Sequence, residues 1–426
     1  MDNITHTLAG IAVAEVALEL RRRRTGRDAG AALTRAAWLA SAGGNNVPDL
    51  DFVYTGVIER PLGYLLHHRG HTHTLALAPL VALLPFAASL ALERWSRRRT
   101  PEPAPSDGEA RSTRALLFAL SLLGCVTHIA MDGANNYGVH PFWPLDARWV
   151  FGDTIFIVEP LWWVVLAAPL AFTAKRTWGR ALFALPPIAA VALAIGSGMV
   201  LPPFVAILGA LSPLLLFSSA RLRRPGRAWL AAGLGVLVPI VFAMNGATAR
   251  ARASAVLAEI YPETTVHDIV LAPMPGNPFC WSGLSVQSDA NSVHYRRLAV
   301  STWPSAMTAE GCHTAPPRET RAPRTPVTER SDIDVLLHDT LEVPRERLAA
   351  LAREDCRVRA FFLFSRAPFV VEGYEERLLG DARYDMSRDL SWSKMVLPDS
   401  PGNCPEFLPG WTPPRADLLE QGSRAE

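Results

Sequence analysis

Histidine and aspartate residues form several short polar islands in the first third of the chain. Seven of the 11 histidines lie there, namely His6, His67, His68, His71, His73, His128 and His140. Carboxylates accompany them, at Asp49 and Asp51 in P-D-L-D and at Asp132 in T-H-I-A-M-D. Imidazole and carboxylate together are the ligand set for zinc, manganese or iron. The pattern predicts a divalent metal site of one to three ions, with zinc first and manganese or iron as alternatives.

The spacing within two of these islands supports a shared site. His128 and Asp132 are four residues apart, so on a helix they share one face and can address one ion. Leaving that carboxylate buried and unpaired would cost several kcal/mol, roughly. In P-D-L-D, Asp49 and Asp51 would project to the same side if the run is extended, as Pro48 favours for the residue before it. One of the two could then bridge ions or orient a ligand histidine.

Each island also has a simpler interpretation when taken alone. His6 alone is more often a helix N-terminal residue than a ligand, and either Asp49 or Asp51 could cap a helix or turn. The four-histidine island could be a solvated loop, and His140 in G-V-H-P-F-W-P is ambiguous. The isolated downstream histidines are interpreted as non-catalytic: His267, His294, His313 and His338.

The elements that must position these residues are membrane helices. Hydrophobic residues make up 49% of the 426-residue chain. Six runs approach the roughly 20 residues that span a bilayer, at about 74–93, 115–133, 155–174, 181–200, 203–220 and 228–246. Two weaker helical stretches precede them, at about 4–20 and 32–47. We therefore predict a polytopic α-helical membrane domain of about six to eight helices, over residues 1–248.

The distribution of positive charge predicts how this domain is oriented. Alternate loops carry 19 Lys and Arg residues, whereas the loops between them carry only Arg60, Arg69 and Arg148. Arg-rich loops stay in the cytoplasm, so the opposite loops and everything after residue 246 are expected outside. All the polar islands then meet at one extracytoplasmic surface of the bilayer. The net charge of +2 gives no indication of a nucleic-acid partner.

Residues 249–426 have the character of a small soluble α+β, mostly β, extracytoplasmic domain. Short β-type runs such as V-H-D-I-V-L, L-S-V-Q-S, V-H-Y-R-R-L-A-V and V-R-A-F-F-L-F are separated by Pro- and Gly-rich turns. An amphipathic helix is predicted at about 344–355. Four cysteines fall here, at Cys280, Cys312, Cys356 and Cys404. An oxidising compartment favours at least one disulfide, with three pairings possible.

Four motifs together resemble a known family. M-D-N-I-T-H-T-L-A-G, P-D-L-D, H-R-G-H-T-H and H-x-x-x-D followed by N-x-Y-G resemble the YdjM-like bacterial inner-membrane proteins, described as predicted metal-dependent hydrolases. The resemblance is close over residues 1–160. That family is distantly similar to the zinc-dependent phospholipase C and P1-type nuclease group. The ligands implied by motif are His6, Asp49 or Asp51, His68 or His71, His128 and Asp132, with Glu159 a candidate late carboxylate.

The function expected from these features is metal-dependent hydrolysis at the outer face of the bacterial inner membrane. A metal-activated water would attack a phosphate-ester or lipid-like substrate, and the membrane location suggests an amphiphilic or lipid-linked phosphate. Arg69 is the candidate for holding an anionic group, and Asp49 or Asp51 for general base. The alternative is a non-catalytic protein that binds or transports metal, or whose metal only pins helix ends together.

Overall fold

The computed structural model describes residues 1–99, 105–312, 325–326, 333–372, 377–385, 392–397 and 403–419. Its N-terminal part is helical. The helices are α1 (Asn3–Thr25), α2 (Ala31–Gly44), α3 (Leu62–His67), α4 (Ala78–Val81), α5 (Leu83–Arg99), α6 (Asp107–Gly133), α7 (Pro160–Leu170), α8 (Thr177–Ser197), α9 (Pro202–Arg221) and α10 (Arg224–Ile260). Between α2 and α4 the chain also forms short 3-10 helices at Val47–Val53, Thr55–Val57 and His71–His73.

The prediction of a polytopic helical domain is confirmed. Within the described ranges, five helices are long and apolar enough to cross a membrane: Ala78–Arg99, which joins α4 and α5, and then α6, α8, α9 and α10. The two weaker predicted stretches form α1 and α2, and α2 packs against α1, α5 and α6. This packing places the two N-terminal helices among the longer apolar ones.

The run predicted as a span at 155–174 is shorter than expected, because the helix α7 begins only at Pro160. Every residue of α7 except Leu161 is buried, and the helix packs against α1, α8, α9 and α10. A helix that is hydrophobic on all sides is typical of a buried position. The apolar character of this run therefore reflects packing inside the bundle.

Helix α10 continues without interruption from the bundle into the C-terminal part of the chain. It runs for 37 residues, so the predicted division at residue 248 lies within it. Its C-terminal half packs against four strands of the sheet described next. Gly246 is needed for this contact, since a Cβ there would lie only 2.7 Å from the ring of Trp281.

The C-terminal part is built on antiparallel strands, as predicted. They are β1 (Thr265–Met274), β2 (Asn277–Ser288), β3 (Ser292–Ser301), β4 (Thr325–Pro326), β5 (Val335–Pro344), β6 (Pro368–Glu372), β7 (Arg377–Asp381) and β8 (Lys394–Leu397). One sheet has the order β1-β2-β3-β5-β4 and the other β6-β7-β8. Helices α11 (Arg345–Glu354), α12 (Cys356–Phe362) and α13 (Ala416–Leu419) accompany them. The amphipathic helix predicted at about 344–355 is α11.

The β-type run V-R-A-F-F-L-F was wrongly predicted as a strand, because it forms most of helix α12. The side chain of Asp355 accepts a hydrogen bond from the backbone N–H of Arg357 and so caps the helix N-terminus. Val358, Phe361 and Phe362 are buried against the C-terminal core. Tertiary burial and the cap override the strand preference of the aromatic residues.

The expected disulfide is confirmed, and both pairs of C-terminal cysteines are joined. Cys280 bonds to Cys312 and Cys356 to Cys404. The sequence left three pairings open, and the fold selects the one that joins neighbouring cysteines along the chain. Each bridge closes a loop, which restricts the unfolded chain and stabilises the domain.

A buried ion-pair network fastens the C-terminal domain to one end of the helical bundle. Arg366 donates to both carboxylate oxygens of Asp153, at 2.9 and 3.0 Å, and to both oxygens of Asp268, at 2.9 and 3.0 Å. Asp153 follows α6 and Asp268 lies in β1. In addition, the indole N–H of Trp411 donates to the carbonyl oxygen of Leu66 at 2.9 Å. The domain therefore sits at the bundle end where α6 finishes.

Candidate metal centre

Separate elements bring four potential metal ligands together at this end of the bundle. Asp49 lies in the 3-10 helix after α2, His73 lies in the 3-10 helix before α4, and His128 and Asp132 lie in the last turns of α6. One ligand atom from each side chain can be chosen so that all lie within 4.8 Å of one another. The shared helix face predicted for His128 and Asp132 is observed, and both are fully buried.

The distances between these ligand atoms suit a single divalent ion. The Nε2 atoms of His73 and His128 are 3.0 Å apart. Each of them lies 3.4 or 3.5 Å from Oδ1 of Asp49 and from Oδ2 of Asp132. Tetrahedral zinc with bonds of about 2.0–2.1 Å separates its ligand atoms by roughly 3.3 Å. The four-residue group, defined as Asp49, His73, His128 and Asp132, can therefore hold one metal ion.

The two imidazole rings are held so that their Nε2 atoms face the site. Nδ1 of His128 lies 2.8 Å from the carbonyl oxygen of Asn45, to which it must donate. Nδ1 of His73 lies 3.3 Å from Oδ2 of Asp51. With each Nδ1 carrying the proton, each Nε2 presents a lone pair. Two such lone pairs 3.0 Å apart repel each other unless a proton or a cation lies between them.

Asp51 orients neighbouring groups and is not a free carboxylate. It accepts hydrogen bonds from the backbone N–H of Arg69 at 2.8 Å and from the hydroxyl of Thr72 at 3.1 Å, and Nδ1 of His68 lies 3.0 Å away. Burial raises the pKa of Asp51, but hydrogen bonds from His68 and His73 outweigh burial and lower it to about 2. The ionised carboxylate thus fixes the ring of His73, as carboxylates commonly do for metal-binding histidines.

The electrostatics of the four-residue group favour a positive charge. Burial lowers the pKa of His73, but the nearby carboxylates of Asp132, Asp49 and Asp51 outweigh burial and raise it to about 10. Oδ2 of Asp132 is buried without a hydrogen-bond donor among the described residues. The guanidinium of Arg69 lies 2.9 Å from it, but not in hydrogen-bonding alignment. The negative charge of the carboxylates and the unpaired Oδ2 of Asp132 are both compatible with a cation at this point.

A second group of possible ligands consists of Asp49, Asp51 and His68. It would share Asp49 with the first group. The ring of His68 is packed between those of Phe52 and Tyr64, at centroid distances of 4.3 and 4.9 Å. Because Asp51 already accepts several hydrogen bonds, the four-residue group is the better candidate for a first ion.

Arg69, predicted to hold an anionic substrate group, is directed into the protein. It is only 2% exposed. Its Nη1 donates to Oδ1 of Asn135 at 2.8 Å, and the guanidinium lies 4.9 Å from the centroid of the Tyr137 ring. Together with its contact to Asp132, this position makes Arg69 a charge partner of the site.

His6 lies beside the four-residue group. Its Nε2 is 3.3 Å from Oδ1 of Asp132, and its ring stacks on that of His128 at 3.9 Å. Nδ1 of His6 lies 3.2 Å from Oδ1 of Asn45. The amino group of Met1 also contacts Oδ1 of Asp132. The start of α1 thus forms one wall of the site.

His71 and His140 belong to an aromatic cluster outside both groups of possible ligands. The ring of His71 lies 4.7 Å from Trp143 and 4.9 Å from Trp411. His140 stacks on Trp411 and contacts Trp149, each at 3.8 Å, and burial lowers the pKa of His140 to about 3. Of the motif alternatives His68 and His71, the fold brings His68 to the carboxylates.

His73, a member of the four-residue group, was not among the predicted ligands, although it belongs to the predicted histidine island. The motif directed attention to His68 and His71, and spacing alone could not separate four neighbouring histidines. One signal was present in the sequence. His73 is the last histidine before the apolar run that starts near residue 74, so it is the one closest to a helix end.

The downstream histidines make local contacts elsewhere. His267 lies 2.7 Å from Asp417 and His294 lies 2.8 Å from Asp289, both within the C-terminal domain. His338 lies in β5, and His313 lies outside the described residues. None of the described ones joins either group of possible ligands.

Glu159, the candidate late carboxylate, takes a different position. It caps the N-terminus of α7 by accepting from the backbone N–H of Leu161 at 2.9 Å, and it also accepts from the N–H of Gly276 at 3.0 Å. Gly276 lies in the turn between β1 and β2. Glu159 is fully buried, and burial raises its pKa to about 7. It therefore links the bundle to the sheet and belongs to neither ligand group.

Replacing Glu159 by glutamine should change how stability depends on pH. A carboxyl whose pKa is higher in the folded state contributes stability that is full below the unfolded pKa and is lost as the pH rises through the folded pKa. Here the loss falls between the ordinary value of 4.5 and about 7. The unfolding temperature of Glu159→Gln relative to the unaltered protein should therefore be higher at about pH 8 than at about pH 5. Thermal unfolding in detergent tests this, and an equal difference at both pH values would contradict it.

Comparison with known proteins agrees with the motifs. The family model described as YdjM inner membrane protein matches residues 1–204. Among curated proteins and among solved structures, no match to the chain is found. The matched range includes every residue of both ligand groups. Residues 1–204 are therefore similar to the YdjM inner membrane protein family, the family that the four ordered motifs predicted.

Proposed function

We propose that the protein is a membrane-bound, metal-dependent hydrolase of phosphate esters, with zinc as the ion. The observation that supports this most directly is the 3.0 Å separation of the Nε2 atoms of His73 and His128, which face each other beside two carboxylates. Two imidazoles and two carboxylates form a donor set typical of zinc and of related divalent ions. The proposed ligands of the ion are His73, His128 and Asp132, and Asp49 of the four-residue group lies beside them.

An ion bound by these three side chains would leave a coordination position for water, would bring the pKa of that water near neutrality and would polarise the phosphoryl centre. The protein's own contribution begins with fixed ligands, since Asp51 and the carbonyl of Asn45 hold the two imidazoles. The side chain of Asp49 is 10% exposed, whereas His73 and Asp132 are at 0%. Asp49 thus faces the approaching substrate, and its carboxylate is our candidate to accept the proton of the attacking water.

Arg69 and Asp51 have supporting roles in this proposal. Arg69 offsets part of the negative charge of Asp132 and holds that carboxylate in place. Asp51 keeps the ring of His73 in the tautomer that presents Nε2 to the ion. These assignments replace the substrate-holding role first expected for Arg69 and the proton-accepting alternative for Asp51.

The site is proposed to lie on the extracytoplasmic side of the inner membrane. The loop charges support this, because the 19 basic residues of the alternate loops favour the cytoplasm. Arg22, Arg23 and Arg24 end α1 at the helix end opposite His6. The two disulfides of the C-terminal domain also suit an oxidising compartment.

A second candidate function is structural, in which the metal ion only holds the helix ends together. Burial favours it, since His73, His128 and Asp132 are all at 0% exposure, and an ion between them would join the turn before α4 to the end of α6. Such an ion would stabilise the bundle end without reacting. The C-terminal domain would then carry the function by binding a partner.

Metal analysis combined with hydrolysis separates the two candidates. The protein is purified, reconstituted in lipid nanodiscs and loaded with zinc, and the release of phosphate or alcohol from phosphomonoester and phosphodiester lipids is measured. We expect turnover that disappears with a chelator and returns with zinc. The His128→Ala variant serves as the control without a complete site. Retained zinc with no turnover of any ester would contradict the hydrolase and favour the fastening role.

A further inference from the structure

The segment that carries two of the site's carboxylates has an unusual outer surface. Residues 50–57, named here the apolar lip, lie in and after the 3-10 helix Val47–Val53. Each of their exposed residues lacks a polar side chain: Leu50, Phe52, Val53, Gly56 and Val57. Val53 is 86% exposed. An exposed cluster of this kind marks contact with a membrane or another apolar partner.

The inner surface of the same segment faces the candidate metal centre. Asp49 and Asp51 point inwards, to His73 and His128 and to His68, respectively. Asp49 is the partly exposed member of the four-residue group, and it directly precedes the lip. The open side of the centre and the apolar lip are therefore adjacent, so a substrate that reaches the ion passes the lip.

The bilayer is the occupant that the surroundings of the lip indicate. The 3-10 helix follows α2 directly and contacts the turn at His71–His73, which leads into the candidate span Ala78–Arg99. That span exposes Leu80, Leu83 and Leu84, so the lip and the candidate membrane helix both present apolar side chains at the surface. Charged side chains return to the surface only at Glu59 and Arg60.

We propose that the apolar lip lies in the lipid phase and that the substrate is a membrane lipid with a phosphate-ester headgroup, which reaches Asp49 laterally from the bilayer. The route rests on the proposed hydrolase function, whereas the membrane contact of the lip does not. The acyl chains stay against Leu50 and Val53 while the headgroup enters the polar centre. A soluble phosphate ester gains nothing from the lip, because it has no chain to bury.

Depth-dependent fluorescence quenching tests the membrane contact. Cys125, the free cysteine, is replaced by alanine, and a bimane probe is attached to cysteine in the Val53→Cys variant reconstituted in vesicles of brominated phosphatidylcholine. Ile188→Cys, exposed on α8, is the lipid-facing reference, and Ile333→Cys, exposed in the C-terminal domain, is the aqueous one. Quenching at Val53 like that at Ile188 supports the proposal, and quenching as weak as at Ile333 overturns it.

Hydrolysis by the double variant Leu50→Ser/Val53→Ser tests the route. Its zinc content should equal that of the unaltered protein, which shows that the centre is intact. Turnover of a long-chain lipid phosphate should fall by about ten-fold, while turnover of p-nitrophenyl phosphate stays unchanged. Leu182→Ser/Ile188→Ser, with similar exposure on α8, is the matched control and should retain both activities. Equal loss on both substrates would overturn the route. If the unaltered protein hydrolyses neither, the hydrolase function and the route both fail, and quenching still decides the membrane contact.

Discussion

Replacing His73 by alanine should remove zinc from the purified protein, although neither spacing nor motif singled out this residue. The change deletes one of two facing Nε2 ligands and leaves His128 with two carboxylates. Loss of a group that merely orients a ligand weakens metal binding by about 10–100-fold, so loss of the ligand should exceed about 100-fold. Elemental analysis of zinc per protein, and titration with zinc against a competing chelator, measure the effect.

His71→Ala is the matched control for this prediction. It removes an imidazole from the same histidine island, two residues away, but His71 lies against Trp143 and Trp411 outside both ligand groups. It should keep its zinc. If His71→Ala loses zinc and His73→Ala retains it, the assignment of the ligands is wrong and the motif alternative is restored.

Replacing Arg366 by alanine should lower the free energy of unfolding of the protein strongly. The change leaves Asp153 and Asp268 without their bidentate partner, and Asp153 is only 2% exposed. Breaking a buried pair by removing one partner costs about 3–5 kcal/mol in free energy of unfolding. The weaker contacts of Asp153 with Arg250 at 3.4 Å and of Asp268 with Arg415 at 3.9 Å place the expected loss at the lower end. Thermal and denaturant unfolding in detergent measure it.

The neighbouring pair of Arg148 with Asp146 provides the comparison. Arg148 also bonds a carboxylate, at 2.7 Å, but its side chain is 75% exposed. Because water screens such a pair, Arg148→Ala should leave the unfolding curve unchanged. Equal destabilisation by the two variants would show that the Arg366 network does not fasten the C-terminal domain to the bundle.

The helical bundle and the convergence of the polar islands could be predicted from local signals. The lengths of the apolar runs predicted the membrane helices. The four-residue spacing of His128 and Asp132 predicted that they share one face of a helix. By contrast, P-D-L-D forms a 3-10 helix and not the extended run that would have placed Asp49 and Asp51 on one side, although both carboxylates belong to possible ligand groups. The local preference set by Pro48 could not show the packing of this segment against α6 and α3.

Long-range contacts account for the remaining differences between the predictions from sequence and the structure. The choice of His73, the inward direction of Arg69 and the capping role of Glu159 all depend on partners distant in the chain, such as Asp132 and Gly276. The helix at Cys356–Phe362 depends on burial against the C-terminal core. Each of these contacts joins residues that are far apart in the chain, so no local sequence pattern indicates them.

The length of α10 sets the height and the rotation of the sheet above the bilayer. At 1.5 Å per residue its 37 residues extend about 55 Å, well beyond the roughly 30 Å hydrocarbon core. The helix is thus a rigid spacer between the lipid and the sheet that packs on its C-terminal half. Each residue added to it would turn the sheet by about 100° and move Asp268 away from Asp153. The number of residues in this spacer is therefore as constrained as their identity.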